Sequence, residues 1–404
     1  MQNAARITVL FFSLVAVVVI LMVWKKGDRR NALAELSSRF EADVSINGDE
    51  FYLGCSSEAL TDLNAFADLV VRVGKPTILD LTGAPALRTL SGVEKMPSLT
   101  SLVLIDCASL VSAEGVTGHP GLTEIVLTDS TKFVETSAIR DLPGLKTLDF
   151  SGCLSLRKFE ASNLPALENL YLSRCRELGA LDVSAFSNLR QLYVDGCGAL
   201  AAIEGLPGLS RLTDLDVSNA TALKGLAGLE NLAELIVLDI RNVEIDDFPG
   251  IASLPKLRIL RMGGQDTIET LEPLSGLASL RELHLEACPN LRSLKGMPSG
   301  VSQYAGFTHC PQLVSLEGVE SAVGLEQLDL TGCTALVDIS RVAALENLVQ
   351  LSLVKCRQVT DVSAVEKLPG LVIAMLGGSG VIPASVESFS LANEGLIFDF
   401  SASH

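Results

Sequence analysis

Leu148-Asp149-Phe150-Ser151-Gly152-Cys153-Leu154-Ser155-Leu156 sets two apolar residues around one acid and follows them with a cysteine three positions on. The wording returns as Leu328-Asp329-Leu330-Thr331-Gly332-Cys333. Alternation of apolar and polar residues is the period of a strand with one face buried. Eight cysteines, at 107, 153, 175, 197, 288, 310, 333 and 356, stand 22 or 23 residues apart or at multiples of that spacing. Filling the gaps gives a column running Ala84, Cys107, Ser130, Cys153, Cys175, Cys197, Ala220, Val243, Gln265, Cys288, Cys310, Cys333, Cys356 and Gly378. Fourteen frames in one register are an internal repeat, and each unit is too small to close a core alone.

The unit reads L-x-x-L-x-L-x-x-C-x-x-L followed by a loose apolar stretch such as Leu316-Glu317-Gly318-Val319. This resembles the leucine-rich repeat over about residues 77–392. Leu148 to Leu156 is similar to the cysteine-type repeats of plant resistance receptors. Cys333-x-x-Leu336-x-Asp338-Ile339-Ser340-x-Val342-x-x-Leu345-x-x-Leu348 is more similar to the repeats of bacterial internalins. The expected fold class is an α/β solenoid: a leucine-rich repeat horseshoe with a parallel concave β-sheet and a mostly 3-10 or irregular convex side, preceded by one transmembrane helix. Strands stacked ~4.8 Å apart would make a sheet about 60–65 Å long. Only about ten residues remain for each return path, and pieces such as Gly-Leu-Pro-Gly point to tight turns there. In this repeat class the column residue is often Asn, whose amide satisfies backbone groups inside the stack. Cys and Ser can do so weakly, and Ala84, Ala220 and Val243 cannot.

A chain of 404 residues is long for one globular core, but repeats escape that limit. Its net charge is −17, and after the first thirty residues, which carry +4, the body holds −21. So acidic a body repels phosphate backbones, which excludes nucleic acid as a partner. Four histidines, and no nucleotide loop, nucleophile elbow or HExxH motif, leave no enzyme to expect and no cofactor.

Residues 1–24 read as a membrane anchor. Ile7 to Trp24 contains only Thr8 and Ser13 as polar residues and is followed by Lys25-Lys26-Gly27-Asp28-Arg29-Arg30. The run spans ~27 Å as a helix and ends without a small-residue cleavage site. Residues 25–41 are expected as a juxtamembrane stalk, helical through Asn31–Glu41. Residues 42–76 form an N-terminal cap, with a hairpin on an Asn47-Gly48 turn and a helix over Glu58–Val73 carrying Leu60, Leu63, Ala67 and Val70. Repeats occupy 77–380, and 381–404 form a C-terminal cap with closing strands at Glu387–Leu391 and Leu396–Phe400. The expected location is a bacterial-type inner membrane, single-pass. The body leans cytoplasmic because the basic residues follow the span and unpaired thiols suit a reducing compartment, with the periplasm as the other side.

The cysteines lack the short spacing of structural zinc, so the column is read as buried thiols and no metal is expected; Cys55 stands outside it as the exposed one. The residue between the two leucines faces outward and runs Asp80, Val103, Val126, Asp149, Tyr171, Tyr193, Asp216, Asp239, Arg261, His284, Gly306, Asp329, Ser352, Ala374. Tyr171 and Tyr193 stand side by side, Tyr304 lies just before its strand, and Asp149, Asp195, Asp214, Asp216 and Asp239 flank the pair. Tyrosine offers a large amphipathic face at low entropy cost, so the candidate partner-binding surface is Tyr171, Tyr193, Tyr304, Asp149, Asp195, Asp216, Asp239, Arg261 and His284. The plainer alternative is that outward sheet positions accept Tyr and Asp readily. A metal or acid–base site of His284 and His309 with Glu282 and Glu286 is a minor reading. The expected function is a membrane-anchored, non-enzymatic scaffold holding a protein partner, possibly a basic one, on its concave face. The resemblance to internalins implies, as the alternative, a periplasmic or cell-surface adhesin or receptor.

Overall fold

Most frames bury the middle residue of a short strand and leave its neighbours at least partly exposed, because a pleated strand sends alternate side chains to opposite faces. Leu79, Leu102, Ile125 and Leu148 are fully buried in this way, as are Leu170, Leu192, Leu260 and Leu283. The computed structural model describes residues 26–47, 50–245, 248–387, 389 and 395–401. The expected span Ile7 to Trp24 lies outside these. Among the described residues no helix is long and apolar enough to cross a membrane. The chain divides into two units, Met1–Leu167 and Glu168–His404.

In the first unit, residues 26–40 form a helix, α1. It is followed by the antiparallel hairpin of β1 (Asp43–Asn47) and β2 (Glu50–Gly54). Asn47 pairs with Glu50, so Asn47 belongs to the strand rather than opening the turn as expected. Strand β2 then pairs in parallel with β3 (Ile78–Asp80), and β4 (Ser101–Val103), β5 (Glu124–Val126) and β6 (Thr147–Asp149) follow in the same sense. Helix α2 spans Asn64–Val73, shorter than the expected 58–73. The Leu63 N–H donates to the Ser91 carbonyl at 2.9 Å, and the Asp62 carboxylate accepts from the Asn64 N–H at 2.8 Å, so both hold the start of α2 at that point.

The segment expected as a juxtamembrane stalk is helical as expected and packs onto this cap. Ala32, Leu36 and Phe40 are buried, and Phe40 meets Phe66 of α2 edge-on with ring centroids 5.4 Å apart. Asp28 pairs with Arg72 of α2. The spacing 32-36-40 is an apolar helical stripe that needs a partner surface, and α2 supplies it. Cys55, expected as an exposed thiol, is buried here and donates to the Phe40 carbonyl at 3.1 Å. Burial raises its thiol pKa.

In the second unit, parallel strands run β7 (Asn169–Tyr171), β9 (Gln191–Tyr193), β11 (Asp214–Asp216), β12 (Val237–Arg241), β13 (Ile259–Gly263), β14 (Glu282–Glu286), β15 (Tyr304–Thr308), β16 (Gln327–Asp329), β17 (Gln350–Ser352), β18 (Ile373–Met375) and β19 (Ile397–Asp399). On the return path β8 (Ala180–Asp182) and β10 (Ala202–Glu204) make a small parallel pair. Among the described residues the remaining returns are mostly 3-10 turns, with a short α-helix, α3 (Phe248–Ala252). Of the two expected closing strands, the second contains β19, while in the first the described residues Glu387 and Phe389 are helical rather than extended, and 388, 390 and 391 lie outside the described residues.

The residue before the column takes a left-handed conformation in every frame, from Gly83 and Asp106 through Ala287, His309 and Lys355. Gly, Asn or Asp occupies most of these positions, as that conformation demands. In the last frame it is Gly378 that has positive φ, and Met375 pairs with Ser352. That frame is therefore displaced by one: Ser379, not Gly378, takes the column place. Met375, not Ala374, faces outward, and Ala374 is buried.

All nine cysteines are free and buried. Five column thiols donate into the preceding frame: Cys107 to the Leu81 carbonyl at 3.2 Å, Cys153 to Leu127 at 3.1 Å, and Cys197, Cys333 and Cys356 to Leu172, Phe307 and Leu330 at 3.0 Å, while Cys288 and Cys310 reach carbonyls of their own frame, Glu286 at 3.8 Å and Thr308 at 3.6 Å. Ser130 donates back to Leu104 at 3.3 Å and Gln265 to Val243 at 2.6 Å. The column thus ties frame to frame while filling the core as small apolar side chains. Burial raises the Cys107 thiol to about 11 and Cys153, Cys197 and Cys356 to about 12, which keeps them protonated and unreactive.

Candidate functional site

Strand register brings most of the candidate residues onto one outward face of the second unit. Tyr171 pairs with Tyr193, Tyr193 with Asp216, Asp216 with Asp239, Asp239 with Arg261 and Arg261 with His284. Tyr304 opens β15 opposite Glu282, so it lies within its strand rather than before it. Asp149 belongs to the first unit, where it pairs with Val126.

The two tyrosine rings of β7 and β9 meet edge-on, with centroids 5.2 Å apart and planes at 67°. The Tyr171 hydroxyl donates to the Gln191 side-chain oxygen, and the Ser173 hydroxyl donates to Asp195. The Thr213 hydroxyl donates to Asp214 at 2.6 Å. Burial and then the charges of Asp214 and Asp216 raise the Tyr193 pKa, against a smaller opposing effect from Arg261. Burial also raises Asp216, and the neighbouring anions Asp239 and Asp195 add to it. A group of acids held together at this density favours a cation brought from outside.

The outward aspartates have a second duty. Asp149, Asp216 and Asp329 each accept the N–H two residues on, from Ser151 at 2.8 Å, Ser218 at 2.9 Å and Thr331 at 2.8 Å. These Asx turns bend the chain out of its strand, which is reason enough for Asp at the position. Asp239 is a correction to the candidate surface. It is only 3% exposed, and Arg241 closes on it with Nε at 3.0 Å from one oxygen and a terminal nitrogen at 2.7 Å from the other. Its charge is spent within the sheet.

Strands β12 to β15 are five residues long where most others have three, so a second outward row appears: Arg241, Gly263, Glu286 and Thr308. The sequence pattern, read one outward residue per frame, misses this row. The signal for it is the run of alternation in Leu283-His284-Leu285-Glu286. Between the rows lies a recess of about 230 Å³ lined by Arg241, Arg261, His284, Glu286, Tyr304 and Thr308 over Gly306. The His284 ring stacks on Tyr304 at 4.4 Å and 25°. A Cβ on Gly306 would come 2.6 Å from the Tyr304 hydroxyl, so glycine lets the ring lie across the strand and reach Asp329 at 3.5 Å. Burial lowers the His284 pKa, opposed by its contact with Glu282 at 3.3 Å, and Arg261 lowers it further. Burial raises the Tyr304 pKa to about 12. Among the described residues no three His, Cys, Asp or Glu side chains gather to hold a metal ion. His309 sits at a frame corner with positive φ, beside Gly332.

No protein-family profile matches the chain, and no curated protein matches it. Solved structures do. An internalin, InlF of Listeria monocytogenes, superposes with a TM-score of 0.55 at 16% identity, covering 81% of this chain and 87% of that one. The functional domain of InlJ from the same organism, described as including a cysteine ladder, gives 0.49 at 17% identity, covering 75% of this chain and 63% of that one. A leucine-rich repeat protein of Leptospira interrogans gives 0.46 at 17% identity, over 78% and 93%. The fold is that of a leucine-rich repeat protein, with a long parallel sheet and few helices.

Proposed function

We propose that this chain is a non-enzymatic interaction scaffold, tethered to a membrane through residues 7–24, that binds another protein on the outward sheet face of its second unit. The observation that carries this reading is the half-buried Tyr171–Tyr193 pair, ringed by Asp195, Asp214 and Asp216. Rigid aromatic faces of this kind supply contact area with little entropy to lose, and the surrounding acids draw a basic partner and raise its on-rate. The shared fold of InlF supports a solenoid that presents a face, and nothing more specific. The test is the double variant Tyr171→Ala, Tyr193→Ala, with the native chain as bait beside it in a crosslinking pull-down. The partner captured by the native chain is expected to be lost, about a hundredfold in affinity if both rings are anchors. Undiminished capture by a variant with a native unfolding midpoint would place the binding surface elsewhere.

The proposed location of the body is the cytoplasmic side of a bacterial-type inner membrane. The basic cluster Lys25 to Arg30 and nine unpaired thiols support that side. A fluorescent protein and, separately, a periplasm-active phosphatase fused after His404 distinguish the sides. Fluorescence without phosphatase activity is expected. The reverse would favour a periplasmic or surface receptor.

A further inference from the structure

We propose that the β12–β15 recess seats one carboxylate of the partner on Arg261, and that this contact sets where an otherwise basic partner lies along the sheet. The proposal deepens the scaffold reading and rests on it. Among the described residues the Arg261 side chain makes no hydrogen bond or ion pair, although Asp239 stands on the strand to one side and Glu282 and Glu286 on the strand to the other. Two of those acids are engaged: Asp239 pairs in register with Arg261 but is held by two nitrogens of Arg241, and Glu282 is in contact with His284. The guanidinium is thus a half-buried cation left with its fork unfilled at the edge of a recess of about 230 Å³.

The recess is shaped to keep that fork open. Gly306 has no side chain to fill it, and the stacked His284 and Tyr304 rings form a fixed wall. The exposed Glu286 at its rim repels an incoming carboxylate, so one can be held only where it lies against the Arg261 fork and away from Glu286. A guanidinium takes a planar carboxylate through two parallel hydrogen bonds, and a lysine ammonium cannot reproduce that geometry. An all-acidic face would attract any cation and fix no position. One uncompensated cation within it rejects partners that lack an acid at the matching place, which is specificity by a repulsive element.

The experiment uses two synthetic peptides, acetyl-Lys-Lys-Gly-Asp-Gly-Lys-Lys-amide and the same peptide with Asn for Asp, titrated calorimetrically into the full chain and into Arg261→Gln and Arg261→Lys. The native chain is expected to prefer the Asp peptide by about tenfold, the size of one charge-assisted hydrogen-bonded pair at a partly exposed site. Arg261→Gln should abolish the preference and improve binding of the Asn peptide, while Arg261→Lys should retain part of it. Equal binding of the two peptides by the native chain, or a preference that survives Arg261→Gln, overturns the recess while leaving a basic partner standing. Binding of neither peptide to the native chain overturns the basic-partner reading and the recess with it. Should Arg261→Gln unfold, the native and Arg261→Lys ratios decide alone, and an undiminished Lys ratio counts against the fork.

Discussion

Two recesses in this molecule are built on one backbone device and are lined by different charges. In the first unit Tyr52 lies across Gly54 and donates to Asp80 on the next strand at 2.9 Å. In the second unit Tyr304 lies across Gly306 and reaches Asp329 on the next strand at 3.5 Å. The spaces beside them are nearly equal, about 240 and 230 Å³. The first is lined by Glu41, Asp43 and Asp80 and by no base, whereas the second holds Arg241, Arg261 and His284 beside the one acid Glu286. A tyrosine over a glycine is therefore a way of finishing a sheet face, covering a residue with no side chain. What the surrounding strands place on their outward rows decides whether the result can recognise anything.

The largest test of the comparison is under the sheet, where the two recesses should be alike. Leu79 and Leu283 are fully buried beneath them. Leu79→Ala and Leu283→Ala should each cost about 2–5 kcal/mol in urea unfolding, the transfer and cavity cost of a buried leucine. A near-zero cost at either site would mean that its frame does not share the common core.

The next effect separates the units by pH. Burial lowers the pKa of His119 in the first unit and of His284 in the second. The His119 Nε2 lies 3.1 Å from the Met96 carbonyl, and its Nδ1 accepts from the Gly121 N–H at 3.3 Å, which one neutral tautomer satisfies on both sides. Protonation would set an N–H against an N–H. Because the folded pKa is depressed, the unfolded chain takes the proton first. Stability is full above the ordinary value of 6.5 and falls as pH drops below it, until the folded rings protonate as well. Urea midpoints at pH 7.5 and 5.5 should show that fall, and His119→Leu, the residue type at the equivalent Leu142, should reduce it. An unchanged fall would exonerate His119.

The smallest effect is at the tyrosines themselves. Tyr52→Phe removes a short hydrogen bond to a carboxylate and should cost about 1 kcal/mol, whereas Tyr304→Phe removes one at its geometric limit and should cost about 0.5 kcal/mol or less. Reversed magnitudes from paired chemical denaturation curves would show that Tyr304 acts as a clamp rather than a wall.

Much of the face was legible in the repeat. Once Cys153 and Cys333 align, Tyr171, Tyr193, Asp216, Arg261 and His284 fall into one outward row because the side-chain period of a strand is two. Arg241 and Thr308 did not emerge from it, since a repeat pattern tells where a strand passes and not how far its pairing extends. Asp239 looked available and is not, because only the fold shows which cation reaches it. Apolar residues at 32, 36 and 40 carry a signal that reads as a stalk, but a helical stripe demands a partner surface, and the helix over 64–73 is the nearest one in the sequence. The frame slip at Gly378 was also marked, since a glycine before the column suits the corner that every frame must turn.

By itself the sequence determined the repeat, its 22–23-residue period, the buried column and the outward row, because these follow from periodicity, and periodicity survives without coordinates. The tertiary structure alone decided which charges cancel. Arg241 and Asp239 neutralise each other two residues apart on β12, while among the described residues the side chain of Arg261, one strand over, makes no ion pair. Side chains of similar type and similar spacing differ there only in the direction and reach that neighbouring strands allow them, and electrostatic availability depends on that direction.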